Sequence, residues 1–293
     1  MQNLAQTSTQ AETATLHRPV LHSLTGLRWL AALLVFGYHL VAVEYVDPSR
    51  PGVQLLDGIG NAGVMLFFVL SGFVLTWSHR EGMGVRQFWF RRFARVYPLH
   101  LAALALAVAV STTMVPSIRT TDPFSFAANV LLVNPWVPAW WQAGNPVSWT
   151  LACEAFFYFV FPLLVRLLAS RGARALLAIA GGMVVIVTIA PLLALWTAPL
   201  MSPYSTPLLR LPEFVLGIVA ALLVRRPDLW MPHIAVALPV GLVGLALTVP
   251  QLSPHDGPTT LGVSPLSRSP CSSPPSRGAT PSERRRCCAR RCS

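Results

Sequence analysis

Apolar residues run in long segments, separated by short breaks rich in arginine or in proline and glycine. A helix needs about 20 mostly apolar residues to cross a bilayer core, whereas a soluble amphipathic helix shows polar residues at every turn. The pattern predicts seven spans, near 24–43, 59–78, 97–115, 149–168, 175–195, 208–224 and 233–250. The expected fold is an all-α polytopic transmembrane helix bundle occupying residues 21–252. Residues 1–20 are polar and expected to be disordered. Residues 253–293 are rich in serine, proline, arginine and cysteine, lack aliphatic periodicity, and cannot bury enough apolar surface to fold. That basic segment reads either as a frameshifted or truncated end or as a genuine tail.

Charge sharpens this picture. The chain is 54% hydrophobic and only 11% charged, where soluble domains run near a quarter charged. All 22 basic residues are arginine. A net charge of +11 would suggest nucleic acid in a soluble protein, but here the arginines sit in short breaks beside apolar spans. Arg80, Arg86, Arg91, Arg92 and Arg95 follow the second span, Arg166, Arg171 and Arg174 flank the end of the fourth, and Arg225 and Arg226 follow the sixth. The intervening loops, 44–58, 116–148 and 196–207, hold only Arg50 and Arg119. By the positive-inside rule the N-terminus is cytoplasmic, in a multi-pass protein of the inner (plasma) membrane, with the lipid bilayer and not nucleic acid as its partner. Four of the five cysteines lie beyond residue 270, and none has zinc-like spacing with histidine, so no metal site is expected.

Ionisable groups inside apolar spans are costly and point to function. The first span carries Arg28 and His39, eleven residues apart. That spacing puts them on one face, roughly 16 Å apart along the axis. Depth counted from the expected span ends at about 1.5 Å per residue places His39, Glu154, Arg210 and Glu213 in one outer layer. Imidazole suits general-base work, and Glu154 is the candidate to orient it. Arg210 and Glu213, at i and i+3, are equally able to pair with each other.

The inner pole is Arg91-Arg-Phe-Ala-Arg95. Guanidinium forks bind phosphate oxygens, although a lipid-headgroup cluster has the same composition. Ser71 and Gly72 read as helix packing, and Cys153 as a packing thiol. The 116–148 loop, with Trp136, Trp140 and Trp141, reads either as an interfacial aromatic belt or as a cover that stacks on sugar rings.

Together these residues resemble the integral-membrane acyltransferase-3 family. The resemblance rests on five motifs in order: Arg28-x10-His39; Phe67-Phe-Val-Leu-Ser71-Gly72-Phe73; Arg91-Arg-Phe-Ala-Arg95-Val-Tyr-Pro98; Ser148-Trp149-Thr-Leu-Ala-Cys153-Glu154-Ala-Phe-Phe-Tyr158; and Arg210-Leu-Pro-Glu213-Phe-x-x-Gly217. It implies transfer of an acyl group, with acetyl expected, from cytoplasmic acyl-CoA to a hydroxyl of a carbohydrate or related acceptor. Acyl-CoA would be a co-substrate, with no tightly bound cofactor. It implies catalytic roles for His39, Glu154 and Arg28, and donor binding by Arg91, Arg92 and Arg95. Arg210, Glu213 and Trp149 would be substrate-binding or structural. The family typically has ten spans, against seven counted here, and its frequent paired glutamates are reduced to Glu154 alone. The alternatives are a small proton-coupled transporter and an inactive truncated product.

Overall fold

The computed structural model describes residues 22–42, 45–46, 53–79, 82–114, 119–197, 202 and 204–226, all within the unit Met1–Ser253. The expected span at 233–250, residues 1–20 and residues 253–293 lie outside the described residues. Among the described residues the regular structure is entirely helical: α1 His22–Ala42, α2 Val53–Ser78, α3 Val85–Thr113, α4 Pro123–Val130, α5 Trp149–Ala169, α6 Ala173–Thr197 and α7 Pro207–Val224. Two 3-10 turns, Asn134–Trp136 and Pro138–Trp140, follow α4. By length and composition α3, α5 and α7 are able to cross a membrane, while α1, α2 and α6 carry the shorter apolar stretches Gly26–Val41, Ala62–Ser78 and Ala173–Ile189.

One boundary differs from the sequence expectation. The arginine-rich break after α2 is largely helical, because α3 begins at Val85 rather than near residue 97. Arginine is a good helix former, so nothing stops the helix before Gly84. At 29 residues α3 is about 43 Å long, against about 30 Å of hydrocarbon core. Its first turns therefore extend the arginines beyond the apolar part.

The packing centre is α7, which buries residues on every side, from Arg210 and Glu213 through Phe214, Ile218 and Val219 to Leu223. Two glycines let it cross α2 at backbone contact. A Cβ on Gly217 would strike the carbonyl oxygen of Val69, and one on Gly72 would strike that of Phe214. Small residues at helix crossings are the usual means of close approach in an apolar medium. On the other side of α2, a Cβ on Gly60 would collide with Tyr38, and Gly63 lies against Ala31, Leu34 and Val35 of α1. Stacked rings join α5 to this core, with Phe157 on Phe214 at 4.8 Å and Phe68 edge-on to Phe157 at 5.1 Å.

The 119–148 segment is a built structure. Asp122 caps α4, accepting from the Phe124 and Ser125 amides at 3.2 and 2.9 Å, with Pro123 at the first helical position. The Ser125 amide and hydroxyl hold the Asp122 carboxyl below its ordinary value. Asn129 is fully buried and donates to the Ala143 carbonyl and the Ser148 hydroxyl, while its own carbonyl bonds Nε2 of His100 on α3 at 3.0 Å. Asn134 donates to the Trp141 carbonyl at 2.8 Å. These side chains satisfy irregular backbone that is packed against helices. Trp136 is exposed, whereas Trp141 turns inward onto Trp149 and Tyr204.

Candidate active site

Four helices converge on the Glu154 carboxylate. Glu154 and Tyr158 are one turn apart on α5, and the Tyr158 hydroxyl donates to Oε2 of Glu154 at 2.9 Å. Ser71 is buried on α2, beside the Tyr158 phenol. The Arg92 guanidinium of α3 lies 6.0 Å from the centre of the Tyr158 ring and 5.5 Å from that of Phe88. Arg28 of α1 and Arg92 and Arg95 of α3 all act electrostatically on Glu154. The charge of one carboxylate therefore answers to three guanidinium groups from two other helices.

Next to this group is a cavity of about 270 Å³ between the end of α2 and the start of α3. Leu75, Ser78, His79, Phe88, Arg91 and Arg92 line it. The arginines grouped by sequence thus divide their work: Arg91 and Arg92 face the cavity, while Arg92 and Arg95 act on Glu154. Arg92 belongs to both sets. His79 lies edge-on to Phe161 at 5.6 Å. Neither His79 nor Tyr158 stood out in the sequence as a site residue.

The Arg210–Glu213 pair behaves differently. Nη1 of Arg210 bonds Oε1 of Glu213 at 2.8 Å, and both side chains are at most 5% exposed. Nε of Arg210 donates to the Tyr204 carbonyl at 2.8 Å, and its guanidinium lies against the rings of Tyr204 and Trp149 at 5.4 and 6.0 Å. Such an enclosed, multiply bonded pair ties α7 to α5 and to the turn before it. Among the described residues Oε2 of Glu213 has no hydrogen-bond partner.

The helix register corrects the common depth expected of His39 and Glu154. Gly60 faces Tyr38 and Gly63 faces Ala31 to Val35, so α1 and α2 run antiparallel. Continuing that register brings Arg28 level with the Phe67–Ser71 turns and His39 level with Gly60. Phe68 meets both Trp149 and Phe157, which brings Glu154 to the Phe68–Ser71 level. Glu154 is therefore level with Arg28, and about ten residues of α2, roughly 15 Å, separate it from His39. The depth count failed because it started α5 at the membrane surface. Trp149 is in fact 4% exposed, covered by Trp141 and Tyr204. Among the described residues the His39 ring meets Tyr38, edge-on at 5.2 Å, and has no hydrogen-bond partner.

A family model described as an acyltransferase domain matches residues 21–264. The chain is 39% identical over 228 residues to the acyltransferase MdmB of Streptomyces mycarofaciens, a match covering 70% of this chain and 58% of that protein. It is 29% identical over 212 residues to the peptidoglycan O-acetyltransferase OatA of Listeria monocytogenes, covering 65% of this chain and 30% of that protein. Over 169 residues it is 28% identical to an O-acetyltransferase OatA of Staphylococcus aureus, covering 52% and 26%. The chain thus spans a little over half of the first relative and less than a third of the other two. No solved structure gives a significant match.

Proposed function

Because the chain belongs to the acyltransferase-3 family, we propose that it transfers an acyl group from cytoplasmic acyl-CoA to a hydroxyl of a carbohydrate or related envelope acceptor. The apolar helices and the family together make it a multi-pass membrane protein. The arginine distribution favours a cytoplasmic N-terminus and the plasma membrane, and with that orientation the cavity between α2 and α3 would open to the cytoplasmic side. Both OatA relatives are O-acetyltransferases, the Listeria one of peptidoglycan, which supports acetyl as the group and a glycan as the acceptor.

The observation that carries this reading is the position of Arg92, shared by the cavity and by the Tyr158–Glu154 pair. Arg91 and Arg92 would bind phosphate oxygens of coenzyme A at the cavity, since guanidinium matches phosphate in both charge and geometry. Glu154 then belongs to the donor pole, where its charge acts on Arg28 and Arg92 at longer range. The donor's extended arm would carry the thioester along the bundle towards His39. There the neutral imidazole takes the proton of the acceptor hydroxyl as its oxygen attacks the thioester carbonyl. The tetrahedral adduct collapses with loss of the coenzyme A thiolate, the imidazolium returns the proton to sulfur, and the ester and free thiol leave.

Full-length protein in lipid nanodiscs, given radiolabelled acetyl-CoA and a panel of soluble glycosides, tests this by labelled ester and free thiol formed in equal amounts. Arg91→Gln and Arg92→Gln are expected to raise the KM for acetyl-CoA about tenfold or more, the effect of losing one charge-assisted hydrogen bond. Unchanged KM in both variants would overturn the donor site. Solute flux across proteoliposomes without any acyl donor would favour a carrier instead.

A further inference from the structure

Tyr158 occupies an unusual position on both its backbone and its side chain. In an uninterrupted helix its carbonyl would accept the amide of residue 162, but residue 162 is proline, which has no N–H. The freed carbonyl accepts instead from the indole Nε1 of Trp89 on α3, at 3.2 Å. Trp89 also stacks on Phe159 at 5.3 Å. One turn after Trp89, Arg92 places its guanidinium on the Tyr158 ring. The missing amide of Pro162 therefore fixes the register between the arginine-bearing end of α3 and the Tyr158 turn of α5.

The phenol is committed as a donor: its single proton goes to Oε2 of Glu154 at 2.9 Å. Ser71, buried beside it on α2, precedes Gly72, which lies in backbone contact with Phe214. The carboxylate that accepts from the phenol is the one on which Arg28, Arg92 and Arg95 act.

Building on the proposed donor site, we infer that Tyr158 is a positioning residue that couples the donor cavity to Glu154. Its hydroxyl holds the carboxylate through the Tyr158–Glu154 hydrogen bond, and its ring seats the Arg92 guanidinium. The two halves are separable. Tyr158→Phe removes the hydroxyl and keeps the ring under Arg92. Tyr158→Leu removes both.

The test measures kcat and KM for acetyl-CoA, coenzyme A binding, and the thermal midpoint, all on the full chain in nanodiscs. Tyr158→Phe is expected to lower kcat about 10- to 100-fold, the range for one hydrogen bond to a charged group, with KM and midpoint near wild type. Tyr158→Leu should add a rise in KM and weaker coenzyme A binding. Wild-type kcat in Tyr158→Phe would overturn the inference. So would a loss of kcat matched by a fall in midpoint, since that is the signature of packing alone. Wild-type protein that neither binds coenzyme A nor transfers acetyl would overturn the donor-site reading itself, and this is visible before any variant is made.

Discussion

The indole N–H of Trp89 bonds the backbone carbonyl of Tyr158, the carbonyl that Pro162 leaves without a partner in its own helix. A donor that answers a proline-freed carbonyl is how a membrane helix tolerates proline. Trp89→Phe keeps the stacking on Phe159 and removes the donor. We expect a loss of about 1–3 kcal/mol, the cost of leaving an acceptor unsatisfied in an apolar medium, read by denaturant unfolding in lipid. Pro162→Ala in the same background supplies an amide to the carbonyl and should recover part of the loss. Trp89→Phe with unchanged stability would show that the bond contributes nothing.

The α2–α7 crossing has an internal control. Gly217→Ala forces a Cβ onto the Val69 carbonyl and should cost about 1–3 kcal/mol, with a lower yield of monodisperse protein. Gly181, on α6, has nothing within 4 Å of a built Cβ. Gly181→Ala should be neutral or stabilising by up to about 1 kcal/mol on helix propensity. Equal behaviour of the two variants would contradict the packing described.

Arg210 and Glu213 separate a structural from a substrate role. Breaking an enclosed pair strands a charge, so Arg210→Met should destabilise by about 3–5 kcal/mol. The double variant Arg210→Met with Glu213→Leu should recover much of that stability. A folded, stable Glu213→Gln protein with acceptor KM raised and no change in midpoint would instead assign the pair to the acceptor.

Much of this arrangement is legible in the sequence, because polarity inside apolar spans is conspicuous. Arg28, His39, Glu154 and the Arg91–Arg95 cluster stand out for that reason, and counting residues along one helix relates Arg28 to His39. Relating different helices requires their register, which side-chain contacts such as Tyr38 on Gly60 decide. Counting from expected helix ends misplaced Glu154 because α5 starts beneath the 119–148 segment. Tyr158 was missed for another reason: a phenol in an aromatic-rich helix looks like packing until its hydroxyl partners are known. The Tyr158–Pro162 spacing of four was the available signal, since it marks a carbonyl in need of a donor.

The cap of α4 gives a pH dependence with a defined sign. The folded-state Asp122 carboxyl titrates below its ordinary value because the Ser125 amide and hydroxyl and the Phe124 amide favour its charged form. Its contribution is therefore fully present above the ordinary aspartate range and is lost as pH falls through the lowered value. The midpoint difference between wild type and Asp122→Ala should be largest near neutrality and shrink on acidification. A difference that grows in acid would contradict the cap.

The central claim is that acyl transfer passes through His39 while the donor is held at the arginine pole. Steady-state acetyl-CoA-dependent ester formation by His39→Ala, beside coenzyme A binding by the same nanodisc preparation, tests it most directly. The account predicts a loss of about 10²- to 10⁴-fold in kcat, the range of general-base contributions, with coenzyme A binding unchanged. Wild-type ester formation by His39→Ala would contradict it.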